Sequence, residues 1–349
     1  MVAGNLHQIK NLITINPLQT VVFFGGNRRN ENGPLLTLAL EMVKKGVKVI
    51  ILTDDFHWNL PTGNGKPLSK RLEEIKCEGL EWVVTQEITL QFVSQFIEGE
   101  TIGLSLNSVW MIKKEIVDLF GGRLFNYHNA KLPQERGAAI YSWKILSQST
   151  KGTLTIHKIT PKLDAGEIVK EKEISFSDKC CIPADYYRDM EKQETSFLME
   201  FLEGKDLVSV QQDEAASIYM PRLHTLTNAL INWDWSSKEI ELFINAFDDP
   251  HEGAATFMDS RKLHLKKCSS AKEKENFHPF QAGLVYRKNP ESLFVAAKGY
   301  GLEIGEVLDE SGNNVLSKIK LGQRLNTPRK LLEEAQDHLG LPQWSQWWV

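Results

Sequence analysis

TVVFFGGNRRNENGPLLTLALEMVKKGVKVIIL, residues 20–52, sets two short, mainly apolar runs on either side of a helical pattern. Thr20–Phe24 and Val47–Leu52 have the length of strands, and no polar residue alternates through them as it would on a sheet with one wet face. They read as buried strands. Between them Pro34 suits a first helical position, and Leu35, Leu36, Leu38, Ala39, Met42 and Val43 recur at helical spacing. Lys44-Lys45-Gly46 closes the helix with a basic last turn and a glycine stop. A strand–helix–strand unit of this kind argues an α/β fold with a doubly wound, mostly parallel sheet.

The linking loop, Gly25–Gly33, is rich in glycine but does not fit G-x-G-x-x-G. Two readings stand for it. Gly25, Arg28 and Arg29 form an anion site near a helix start, or the arginines are solvated loop residues.

Outward from this unit, strands are expected at Leu80–Val84, Ile102–Leu106, Arg123–Tyr127, Gly152–Ile159 and Glu167–Ile174. Helices are expected around Lys70–Lys76, Leu90–Ile97, Met111–Phe120, Ile140–Leu146 and Ala184–Leu202. His57–Lys66, rich in Gly, Pro and Asn, reads as a mobile loop. Beyond Asp249-Pro250 the chain breaks into short apolar segments separated by turn residues, the pattern of a small β-barrel-like domain. The expected organisation is a leader over 1–17, a catalytic domain over 18–205, a linker over 206–222, a β-rich domain over 223–330 and a tail over 331–349. Trp233 and Trp235 are expected to anchor the second domain, and Trp344, Trp347 and Trp348 to pack back on a domain.

Composition narrows the function. A net charge of −4 and pI near 6.2 argue against a strongly basic nucleic-acid binder. No apolar run approaches a membrane span, and the first residues lack a signal peptide's apolar core. The four cysteines, Cys77, Cys180, Cys181 and Cys268, form no C-x-x-C, so no metal site and a cytoplasmic, reducing location are expected.

The chemistry concentrates in Leu124–Ala139, LFNYHNAKLPQERGAA. On an extended backbone Asn126 and His128 point to the same side. Asp164 follows later, in a turn ahead of an apolar run. An amide donor, an imidazole and a carboxylate are the parts of an acyl transfer: the amide steadies an oxyanion while the other two manage a proton and its charge. His157, inside an alternating strand, is read as structural. Lys131 is read as solvated, with an acceptor phosphate as the minority reading, and Arg136 as a supporting residue.

At these residues the chain resembles the folate-dependent formyltransferases. The resemblance rests on Asn126-Tyr127-His128, Asp164-Ala165-Gly166, LPQERGAA (132–139), GTLTIHKITPKLDAGEIV (152–169) and INWDWSSKEIELFINAFDDPHEGAATF (231–257). It implies a 10-formyltetrahydrofolate co-substrate and a primary amine as acceptor, with Asn126, His128 and Asp164 catalytic. By position it places the pterin near Asn107, Ser108, Val109, Trp110, Thr160 and Leu163, and leaves Gly25, Arg28, Arg29, Lys131 and Arg136 for the acceptor. After the histidine the family often has Ser-Leu-Leu-Pro, where this chain has Asn129-Ala130-Lys131-Leu132-Pro133. The favoured acceptor is a nucleotide-linked amino sugar, the rival is methionyl-tRNA, and a homodimer is allowed. Two other classes remain: a folate-binding homologue without turnover, and a nicotinamide-dependent oxidoreductase resting only on the first strand–helix–strand unit.

Overall fold

The computed structural model describes residues 11–15, 17–27, 33–63, 65–204, 206–271 and 275–337. Arg28, Arg29 and the C-terminal tryptophans lie outside them, so the expectations placed there have no structural counterpart. The chain divides into two compact units: Met1–Gly137, Lys151–Phe176 and Tyr187–Tyr219 form the first, and Ala138–Thr150, Ser177–Tyr186 and Met220–Val349 the second.

The first unit opens with β1 (Asn11–Thr14) and continues through β2 (Thr20–Gly25), α1 (Leu35–Lys44) and β3 (Lys48–Thr53). Then come α2 (Asp55–Asn59), α3 (Leu68–Glu74), β4 (Leu80–Val84), α4 (Leu90–Ser94) and β5 (Thr101–Leu106). Next are α5 (Lys114–Leu119), β6 (Leu124–His128) and the short β7 (Arg136–Gly137). Further on, β8 (Lys151–Lys158), β9 (Ile168–Ser175) and β10 (Asp206–Ser209) complete the unit's strands. Seven of them form one sheet in the order β4-β3-β2-β5-β6-β8-β9. The first five are mutually parallel, and β8 and β9 extend the sheet antiparallel. Every residue of Val21–Phe24 and Val49–Leu52 is fully buried, which is why these strands read as continuous apolar runs. Burying each such side chain is worth about 1.5–3 kcal/mol.

Four local expectations change. The leader contains β1, and the stretch read as a linker contains β10, its antiparallel partner. Each strand is short and finds its partner far along the chain, so neither carries a local signal. The segment read as a mobile loop begins with α2, whose first turn is capped by Asp54: Phe56 N and His57 N donate to its Oδ1 at 2.8 and 3.1 Å. The helix expected from Met111 begins only at Lys114.

Because β2, β3, β5 and β6 run parallel, their carboxyl ends share one edge of the sheet, where open α/β sheets place their ligands. The two glycines ending β2 serve packing at this edge. Gly25 has φ +114°, and a Cβ there would stand 2.3 Å from Leu106 O; one on Gly26 would stand 2.6 Å from His57 Cβ.

The second unit takes α6 (Ile140–Leu146), the start of α7 (Pro183–Leu202), and everything after β11 (Tyr219–Met220) begins, including α8 (Thr225–Asn228) and α9 (Ser237–Ala246). α6 belongs here through contacts such as Ser142 Oγ donating to Ala246 O at 2.7 Å. Five antiparallel strands follow: β12 (Ala254–Met258), β13 (Arg261–Ser270), β14 (Val285–Lys288), β15 (Leu293–Ala296) and β16 (Gly301–Leu308), in the order β12-β13-β16-β15-β14. Residues 324–326 bridge to both outer edges, Asn326 to Phe257 and Arg324 to Leu284. That closure makes the sheet barrel-like. α10 (Arg329–Asp337) comes last. Trp233 is buried and donates from Nε1 to Thr256 Oγ1 at 2.9 Å, tying it to the middle of β12.

Candidate active site

The last parallel strand, β6, carries Asn126 and His128 to the ligand edge, and the antiparallel β8 lies directly beside it. Their register pairs Asn126 with His157 and His128 with Thr155. His157 therefore stands opposite Asn126 on the neighbouring strand. Residue spacing alone could not show this, because alternation tells which face a residue takes and not which strand adjoins it.

The three polar side chains expected from sequence come together, and His157 joins them. Asn126 Nδ2 lies 3.1 Å from His157 Nε2. Asp164 arrives on the loop after β8 with a left-handed backbone, φ +47°. Its Oδ1 lies 3.5 Å from His157 Nε2 and its Oδ2 4.0 Å from His128 Nδ1, while Gly137 N donates to Oδ2 at 2.9 Å. The two imidazoles meet edge to face, their centroids 6.4 Å apart. His128, His157 and Asp164 are all buried.

The outer contacts of the rings fix their protons. His128 Nε2 lies 2.7 Å from Glu135 O, and a carbonyl only accepts, so Nε2 carries a hydrogen and Nδ1 is the nitrogen that faces the carboxylate. In the same way His157 Nδ1 donates to Lys158 O at 2.8 Å, leaving Nε2 to accept from Asn126. Asp164 thus faces one nitrogen of each ring, an arrangement that stabilises a proton placed on either. Burial works to raise the Asp164 carboxyl, but His128, His157 and the Gly137 N–H outweigh it and hold the group well below the usual carboxylate range. Burial and this same carboxylate push the Tyr219 phenol up.

The Asp164 turn is held from behind. Gln212 Nε2 donates to Asp164 O at 2.8 Å and to Gly166 O at 2.7 Å. Gln212 Oε1 accepts from Arg136 Nε and NH2 at 3.1 and 2.7 Å. Arg136 also makes a two-bond pair with Glu214, at 2.8 and 3.1 Å. Arg136 and Lys162 pull the Glu214 carboxyl down to about 2. Gln212 sits in a polar stretch without periodicity, so no pattern marked it.

The remaining expectations separate. Lys131 is exposed and pairs with Glu173 at 3.5 Å. Arg136 is spent on Gln212 and Glu214, which makes it a brace and removes it as a free acceptor-binding charge. Asn107 follows β5 with φ +58°, and its Nδ2 lies 3.1 Å from His57 Nε2. Ser108 Oγ accepts from Trp110 N at 3.1 Å. Trp110 Nε1 donates to Gln86 O at 3.1 Å, and its ring packs on the core around Ile88, Ile112 and Phe120. Val109 and Leu163 are half-buried, and Thr160 Oγ1 donates to Lys162 O at 2.9 Å. Among the described residues no group of acidic, histidine or cysteine side chains has the form of a metal site, and no helix is long and apolar enough to cross a membrane.

Residues 108–202 match the family model described as formyl transferase, and residues 225–318 match that described as formyl transferase, C-terminal domain; together they span just over half of the chain. Among solved structures, an N-formyltransferase from Helicobacter canadensis, in complex with folinic acid and dTDP-3-aminofucose, is similar at 17% identity and a TM-score of 0.59, over 82% of this chain and 99% of that one. HypX from Aquifex aeolicus, in complex with tetrahydrofolic acid, is similar at 13% identity and a TM-score of 0.58, over 91% of this chain and 48% of that one. A methionyl-tRNA formyltransferase from Clostridium thermocellum is similar at 16% identity and a TM-score of 0.51, over 74% and 96%. At these identities the likeness speaks to fold.

Proposed function

The chain belongs to the formyl transferase family, a family of formyl-transferring enzymes, and from that premise we propose that it moves the formyl group of 10-formyltetrahydrofolate onto a primary amine, that of a nucleotide-linked amino sugar. The observation that carries the reading is the Asn126–His157–Asp164–His128 cluster at the carboxyl end of β6. The amine nitrogen bonds to the formyl carbon, and the carbonyl oxygen becomes an oxyanion. Asn126 keeps one N–H on His157 and turns the other to that oxygen. His128 Nδ1 takes the proton the amine sheds, and Asp164 stabilises the imidazolium. The carbon–N10 bond then breaks, N10 receives the proton, and the products are the formamide and tetrahydrofolate. Losing an oxyanion donor of this kind typically costs ~10²–10³ in rate.

The sugar acceptor is favoured by the net charge of −4, unlike that of a strongly basic nucleic-acid binder, and by the likeness to an N-formyltransferase in complex with dTDP-3-aminofucose. The test is tetrahydrofolate release from 10-formyltetrahydrofolate, measured with nucleotide-linked amino sugars and with methionyl-tRNA. Turnover with the sugars is expected. Turnover with tRNA alone, with binding that weakens steeply in salt, replaces the acceptor and keeps the chemistry. Folate binding with no turnover on either pool overturns the transfer reading.

A further inference from the structure

A second buried polar chain lies along the same sheet edge, and the transfer chemistry does not use it. Asp54 directly follows β3, caps α2 through Oδ1, and sets Oδ2 2.5 Å from His57 Nδ1. His57 is 1% exposed, wedged against Gly26, where no Cβ has room. Its Nε2 lies 3.1 Å from Asn107 Nδ2. Asn107 itself is exposed, and among the described residues its Oδ1 makes no hydrogen bond.

The order of donors along this chain is forced. Burial works to raise the Asp54 carboxyl, but His57 and the backbone N–H groups hold it below its ordinary value, so it accepts. His57 Nδ1 donates to it; Asn107 faces Nε2 with its NH2, which only donates, so Nε2 accepts and the Asn107 carbonyl oxygen is turned away from the ring. Asn107 directly follows β5 with a left-handed backbone, at the carboxyl-end edge of the sheet. In the β5–β6 register Ser105 pairs with Asn126, so the carboxyl end of β5, which Asn107 follows, lies beside the strand that carries His128. An exposed asparagine needs no buried carboxylate and imidazole behind it to satisfy water; burying that pair costs desolvation that orientation of one amide explains.

We propose that Asp54 and His57 are positioning residues that fix the polarity of Asn107, so that its carbonyl oxygen accepts an N–H of the folate co-substrate's aminopyrimidine ring. The inference rests on the folate reading above. It makes Asn107 a specificity-determining acceptor whose direction is set two residues away, by a group the ligand never touches.

An exchange of the two end residues tests it. Asp54→Asn keeps the cap, since an asparagine oxygen also accepts there. Its NH2 must then face His57 Nδ1, the ring proton moves to Nε2, and the Asn107 amide is driven to turn its oxygen inward and its NH2 to the ligand. Adding Asn107→Asp gives Nε2–H a carboxylate oxygen and offers the second oxygen outward, so the acceptor returns. Asn107→Gly removes the amide while suiting the φ of +58°. The measurement is the Kd for tetrahydrofolate by calorimetry, with melting temperatures alongside. Wild type is expected to bind, Asn107→Gly and Asp54→Asn to weaken binding about 10-fold or more while still melting cooperatively, and the double exchange to return within about threefold of wild type. Wild-type affinity in Asn107→Gly, or no recovery in a folded double exchange, overturns the polarity argument and leaves the folate reading standing. No tetrahydrofolate binding by wild type overturns the folate reading first and this inference with it.

Discussion

Replacing Gln212 by methionine keeps the side chain's length and removes its hydrogen bonds. The amide joins Asp164 O, Gly166 O and the Arg136 guanidinium, at 2.7–3.1 Å. The two bonds to carbonyls are neutral and contribute ~1 kcal/mol each. The bonds from Arg136 matter less than their charge suggests, because the guanidinium keeps its two-bond pair with Glu214. Water reaches this half-exposed side chain and replaces part of what is lost, so ~2 kcal/mol is the expected loss. Against it stands the left-handed backbone of Asp164, which costs a non-glycine residue ~1–2 kcal/mol. The two are of equal size, so the brace decides whether the turn holds its shape. A shift of ~2 kcal/mol moves that equilibrium roughly 30-fold. Gln212→Met should therefore lower kcat by about 10-fold or more, shift urea unfolding by no more than ~2 kcal/mol, and speed amide exchange across residues 160–168. A kcat within twofold of wild type with unchanged exchange would show that the turn holds itself and that Gln212 is incidental.

Three further outcomes follow from the same geometry. His157→Ala takes a partner from Asn126 and another from Asp164, so its rate should fall as far as that of His128→Ala, by about 10² or more; a near-normal rate would return His157 to a structural role. Gly25→Ala sets a Cβ 2.3 Å from Leu106 O at φ +114°, and should cost about 3 kcal/mol in urea unfolding, with wild-type stability refuting the packing account of this glycine. Asp164→Asn should show its stability deficit most fully near neutral pH. The depressed carboxyl stabilises the fold above its unfolded value of about 4 and loses that contribution as pH falls toward its lower folded value, so the deficit should shrink from pH 6 to pH 2, whereas a constant gap would mean the carboxylate's charge is not what the fold uses.

The parallel strands were legible because burial on both faces writes itself as an unbroken apolar run, and the barrel because short strands and turns repeat. Asn126, His128 and Asp164 were legible as chemistry, by residue type and by resemblance. His157 was not, since GTLTIHKI shows its alternation but not that β6 is its neighbour in register. The pairing of β1 with β10 failed for the same reason, each partner lying far along the chain. Gly25 and Gly26 illustrate a different limit. A glycine that admits a phosphate and one that admits a neighbouring backbone look alike in sequence, and here the close approaches are Leu106 O, the Ser108 backbone and the His57 side chain.

The site lies where the sheet changes direction, and that explains why its parts are held so differently. β6 is parallel to β5 and antiparallel to β8, so Asn126 is paired on both sides, His128 is paired to β8, and the register places His157 opposite Asn126. Antiparallel pairing also sets the end of β8 beside the start of β6: Lys158 pairs with Phe125, and Ile159 N donates to Leu124 O. The chain that supplies the carboxylate therefore leaves the sheet at the far end from His128 and must fold back to reach it. No ladder bond holds it there. A left-handed residue makes the reversal, Gly137 N meets the carboxylate from one side, and Gln212 holds the carbonyls from the other. Substitutions that weaken the sheet should then act first on stability, while those at Gln212 and Arg136 should act first on rate, because only the carboxylate depends on contacts outside the ladder.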